Sequence, residues 1–103
     1  MGILDRLRRR KPVDVQLFTR PSCGLCEETM AEMRAAKVEG QYRLVEVDVD
    51  SERGLKKRYG LRIPVLTIAG RECFEGRLDR SAFRKAIQAA RASSGPGAGT
   101  LER

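Results

Sequence analysis

Val13-Asp14-Val15-Gln16-Leu17-Phe18, then Thr19-Arg20-Pro21-Ser22, then Cys23-Gly24-Leu25-Cys26 is the stretch that decides the fold. Its opening residues alternate Val13, Val15 and Leu17 with polar neighbours, the period of a half-buried strand. Beyond the cysteines, residues 27–37 are rich in Glu, Met, Ala, Arg and Lys, all good helix formers. A CxxC pair therefore sits at a strand-to-helix junction, with Cys23 at the helix N-terminus and Cys26 about one turn inside it. Positions i and i+3 share a helix face, so the two sulfurs can meet. Free N–H groups and the positive dipole end favour an anion at that terminus, so Cys23 is expected to ionise more readily than a free thiol. Glu27 and Glu28 in the first turn oppose this and moderate it. A thiolate with a second thiol in reach is the equipment of thiol–disulfide exchange.

Working outward, Val38-Glu39-Gly40-Gln41 breaks the chain, and residues 42–49 read as a second strand with Val45, Val47 and Val49 as its apolar face. Asp50 or Ser51 is placed to cap a short helix through Leu55 and Tyr59, stopped by Gly60. Ile63-Pro64-Val65-Leu66-Thr67-Ile68 is a third strand, and Ala69-Gly70-Arg71-Glu72 a hairpin turn into Cys73-Phe74-Glu75. Cys73 is expected to be a small buried core residue. Asp79 or Ser81 starts a last helix with Leu78, Ala82, Phe83, Ala86, Ile87 and Ala90 as its apolar stripe. The order is β-α-β-α-β-β-α. A parallel first pair needs a helical crossover, and the last two strands can pair antiparallel without one. The fold class is α/β, with a four-stranded mixed sheet and helices on both faces.

One domain, residues 13–92, fits this length without a disulfide framework, flanked by a basic lead, 1–12, and a Gly/Ser/Pro tail, 93–103. The net charge of +7 is concentrated at the front, where Arg6, Arg8, Arg9, Arg10 and Lys11 stand against Asp5 alone. The Lys56-Lys57-Arg58 run reads as a solvated helix face, and no nucleic-acid-binding signature is present. Ile3, Leu4 and Leu7 can line one side of a short helix that touches an anionic surface, but a frayed terminus is the plainer reading, and no stable membrane association is expected. No run is long and apolar enough for a membrane span, and the lead lacks a signal-peptide core. Two close cysteines and one distant one point to a cytoplasmic redox or metal role rather than a secreted scaffold.

Three segments together resemble the small glutaredoxin-like family of the thioredoxin fold. They are Thr19 through Glu28 after the first strand, Val47-Asp48-Val49-Asp50 closing the second, and Tyr59-Gly60-Leu61-Arg62-Ile63-Pro64-Val65-Leu66 opening the third. The likeness implies a thioredoxin-like fold and a thiol–disulfide oxidoreductase in which Cys23 is the nucleophile and Cys26 the resolving thiol. It implies a cis Pro64, with the N–H and C=O of Ile63 free to pair with an extended substrate. On the residues alone Pro64 merely starts a strand. Arg20 matches the basic residue that the family uses near the thiolate and the glutathione carboxylate, the lesser alternative being a solvated loop charge. Leu25 joins Arg20, Ile63 and Pro64 as a substrate-binding candidate. Where typical glutaredoxins carry Pro-Tyr, this chain has Gly24-Leu25, and the glutathione-holding Gly-Gly-x-Asp-Asp segment is reduced to Glu75-Gly76-Arg77-Leu78-Asp79. The implied partners are protein disulfides or small thiol disulfides, glutathione or another low-molecular-weight thiol among them, with a separate electron donor. A monomer with no tightly bound cofactor and no metal is expected.

Two other readings stay open. Cys23, Cys26 and Cys73 are three soft ligands in a chain without histidine, short of a four-ligand zinc site, while an iron–sulfur cluster shared between chains needs outside thiols. The fold also serves non-catalytic binding modules, usually marked by the loss of one active cysteine.

Overall fold

A computed structural model describes residues 12–93. Its elements are β1 (Val13–Thr19), α1 (Gly24–Ala35), β2 (Tyr42–Asp48), α2 (Arg53–Tyr59), β3 (Val65–Ile68), β4 (Arg71–Glu75) and α3 (Arg80–Ser93). The sheet order is β2-β1-β3-β4, with β1 and β2 parallel and the other two pairs antiparallel. The expected α/β topology is thus the observed one. The basic lead and nearly all of the tail lie outside the described residues.

β1 is central, so both its edges are hydrogen-bonded and both its faces contribute to the core. Val13, Val15 and Leu17 point to one face, where they meet Met33 and Ala36 at the end of α1 and Phe83 and Ile87 of α3. Phe18 points to the other face and packs with Val49, Tyr59 and Val65 beneath α2. Helices therefore cover both faces. Val15, Leu17, Phe83 and Ile87 are fully buried, each worth about 1.5–3 kcal/mol of transfer free energy. Tyr59 lies flat on Phe18, ring centroids 4.0 Å apart, and holds α2 to the sheet.

Several boundaries and faces differ from the sequence-based expectation. In β2 the half-buried residues of the main core are Tyr42 and Leu44, whereas Val45 is 52% exposed. β2 is an edge strand and α2 is short, so the face carrying Val45 is covered only near Val47 and Val49. α2 is not capped by Asp50 or Ser51. Those residues lie in a 3-10 turn, Val49–Ser51, capped by Asp48, whose carboxylate accepts the Asp50 N–H at 2.9 Å. Glu52 occupies the N-cap of α2 without a side-chain bond. Asp79 does cap α3, accepting the Ala82 N–H at 2.8 Å. Cys73 is exposed on the short edge strand β4, not buried in the core. Side chains alternate along a strand, so with Phe74 turned toward the core its neighbour faces water.

Candidate active site

Cys23 is the N-cap of α1, with extended backbone at φ −98°, ψ 109°. Its Sγ accepts the backbone N–H of Cys26 at 3.3 Å, the bond that a Ser or Asp oxygen makes at this position in other helices. The tight approach from β1 is made by Pro21 and Ser22, and Ser22 holds a left-handed φ of 64°. That conformation costs a non-glycine residue about 1–2 kcal/mol, and here it presents the next side chain, Cys23, at the helix terminus. Cys23 is partly exposed, while Cys26 is buried at 3% exposure. Burial raises the pKa of Cys26, and its hydrogen bond with Cys23 raises it further, against smaller opposing contributions from the Thr19 hydroxyl and the Arg20 backbone. Cys23 is the more exposed of the two, and burial favours the thiol form of Cys26.

Thr19, Arg20, Cys23 and Cys26 border one cavity of about 340 Å³, completed by Glu27 and Met30 of α1 and by Glu46 and Asp48 of β2. Arg20 is committed to a two-point ion pair, Nε at 2.9 Å and Nη2 at 3.1 Å from the Asp50 carboxylate. Its Nη1 donates to the Gly60 carbonyl at 3.5 Å. The Asp50 hydrogen bond raises the pKa of Arg20 most, with smaller raising contributions from the charges of Asp50, Asp48 and Cys23. Arg20 thus ties the cysteine loop to the turn after β2 and to the end of α2. A Cβ at Gly60 would overlap the Lys56 carbonyl oxygen, which explains glycine at that end.

The Ile63–Pro64 peptide bond is cis. Phe18 pairs with Val65, so Pro64 stands at the end of the sheet from which the cysteine loop leaves. Pro64 is fully buried, and the Ile63 side chain packs against the cluster beneath α2. No hydrogen bond engages the Ile63 N–H or C=O among the described residues. Leu61, two residues earlier, is fully exposed. Leu25 faces a different cavity, between α1 and the turn before α3, with Glu28, Thr29, Arg77 and Leu78. The structure thus brings Cys23, Cys26 and Arg20 together, sets Ile63 and Pro64 at the same end of the sheet, and turns Leu25 away. Sequence reasoning missed Thr19, Glu46, Asp48 and the Asp50 partner of Arg20. Only the Asp48/Asp50 alternation after a strand hinted that carboxylates would gather there.

Among the described residues no group of three or more His, Cys, Asp or Glu side chains is arranged to hold a metal ion. No helix among them is long and apolar enough to cross a membrane.

A four-stranded mixed sheet with a dithiol at the N-terminus of its first helix defines a thioredoxin-like fold, and solved structures agree. The structural-genomics target XcR50 from X. campestris is 29% identical with a TM-score of 0.62, over 73% of this chain and 96% of that one. Protein Ne2328 from Nitrosomonas europaea is 26% identical with a TM-score of 0.62, over 73% and 91%. A thioredoxin mutant from Halobacterium salinarum is 25% identical with a TM-score of 0.55, over 87% and 86%. The chain belongs to the glutaredoxin-like domain family (DUF836), whose model matches residues 14–88. No curated protein matches.

Proposed function

We propose that this protein is a thiol–disulfide oxidoreductase. The observation that carries the reading is the asymmetry of the pair: Cys23 capping α1 and partly exposed, and Cys26 buried within the first turn with its backbone N–H donating to the Cys23 sulfur. The Cys23 thiolate attacks a disulfide, forming a mixed disulfide and expelling one partner thiolate. Cys26 loses its proton, attacks the Cys23 sulfur and expels the second partner thiolate. The partner gains two electrons and two protons, and Cys23 and Cys26 become a disulfide that an external dithiol must reduce again. The unengaged backbone of Ile63 beside cis Pro64 supports an extended substrate segment pairing there. Protein disulfides, or the disulfides of small thiols, are the substrate class, and the cytoplasm the compartment where such a dithiol is kept reduced.

Steady-state disulfide reduction with a dithiol donor tests this. Cys23→Ser is expected to lose activity by at least a hundredfold, while Cys26→Ser keeps a single attack and fails to turn over on protein disulfides. Activity that survives in Cys23→Ser overturns the proposal.

A further inference from the structure

The cavity beside the two sulfurs has a sign opposite to the molecule's. The chain carries +7, yet the charged side chains bordering this cavity are Glu27, Glu46 and Asp48 against Arg20 alone. The Arg20 charge is already met by Asp50 through two hydrogen bonds. The side chains of Glu27 and Glu46 make no ion pair or hydrogen bond among the described residues, and one Asp48 oxygen caps the following turn. On the opposite flank of α1, Arg77 is paired with Glu28 at 3.4 Å and brings no unmet positive charge. Any partner must bring a sulfur up to Cys23, which borders this cleft.

We infer that the cleft selects disulfides flanked by basic residues, with Glu27 and Glu46 as the specificity-determining side chains. This rests on the oxidoreductase reading and names its substrate class. A Lys or Arg next to the partner's cysteine meets Glu27 and Glu46 carboxylates that pair with no cation among the described residues. An Asp or Glu there meets like charge, as does a small thiol of net negative charge such as glutathione. Complementary charge acts mainly on encounter and on rejection of the wrong partner, so the effect belongs in the second-order rate and weakens with salt.

Three cyclic disulfide peptides of one length decide it, with Lys, Ser or Glu flanking the cysteines, each mixed with the fully reduced full-length protein in a single turnover. The Lys peptide is expected to react about tenfold or more faster than the Glu peptide at low salt. The ratio should fall below about threefold in 1 M salt, where screening is nearly complete. Glu27→Gln/Glu46→Gln should narrow the low-salt ratio to a similar degree. Equal rates for the Lys and Glu peptides, a faster Glu peptide, or a ratio untouched by the double substitution overturns the inference while leaving the redox reading intact. No reaction with any of the three, Ser included, overturns the oxidoreductase reading and the inference with it.

Discussion

Cys23 and Cys26 stand three residues apart and in opposite surroundings. The first caps a helix and is partly exposed, and the second is buried beside it, its thiol pushed up in pKa by burial and by the Cys23 hydrogen bond. Thiolates alkylate and thiols do not, and reagent must also reach the sulfur. With iodoacetamide near neutral pH, peptide mapping is expected to show Cys26 reacting at least tenfold more slowly than Cys23. Because its pKa is raised, Cys26 should catch up only as the pH is taken well into the alkaline range. Equal labelling of the two at neutral pH would count against the buried, protonated inner thiol. Cys73, being exposed, will label as well and must be scored separately.

At the scale of elements, the junction from β1 to α1 holds the site in place, and β1 is held in turn from both faces. Tyr59 fixes α2 to one of them by stacking on Phe18. Tyr59→Ala is expected to cost about 3 kcal/mol, read as a lower denaturation midpoint in urea, because it empties the centre of the smaller cluster. A loss below about 1 kcal/mol would mean that α2 is held by other contacts. This scale also shows what was legible in the sequence. The alternation of Val13, Val15 and Leu17 and the helix-forming run after Cys26 placed the dithiol correctly, because local patterns suffice for local junctions. β2 and β4 each depart from the expected burial at one position, Val45 and Cys73, for a shared reason. Both are edge strands, and which side chains are covered depends on where the helices end. Val45 carries the apolar pattern but has no helix above it, and Cys73 follows the parity imposed by Phe74. The Arg20–Asp50 pair joins residues thirty positions apart, and no local pattern in the chain announces it.

For the molecule as a whole, two arginine clamps fix the loops that carry Arg20 and Arg62, one to the turn after β2 and one to β4. Arg20 binds Asp50, and Arg62, one residue before Ile63, binds Glu72 at 2.6 Å and Glu75 at 3.0 Å. The arginine hydrogen bonds hold the carboxyls of Asp50 and Glu72 below their ordinary pKa values. A depressed folded value means that the stabilisation is present above the unfolded carboxylate pKa of about 4 and is lost as pH falls through the folded value. Urea midpoints are therefore expected to be level from neutral pH to about pH 5 and to drop below about pH 4. Asp50→Asn should show a shallower drop, and an identical acid profile in that variant would remove the Arg20 clamp from the explanation. These pairs are exposed, so their stabilising effect is small and their main consequence is positional.

The most direct test of the central claim, that Cys23 attacks and Cys26 resolves, is trapping in a Cys73→Ser background that removes the exposed third thiol. Reduced Cys26→Ser protein mixed with a disulfide substrate is expected to accumulate a mixed disulfide that mass spectrometry maps to Cys23. In the same background Cys23→Ser should trap nothing, and intact Cys23/Cys26 protein should end as an internal disulfide with the substrate reduced. An adduct mapped to Cys26, or no adduct with any disulfide while Cys23 stays free and reduced, would contradict it.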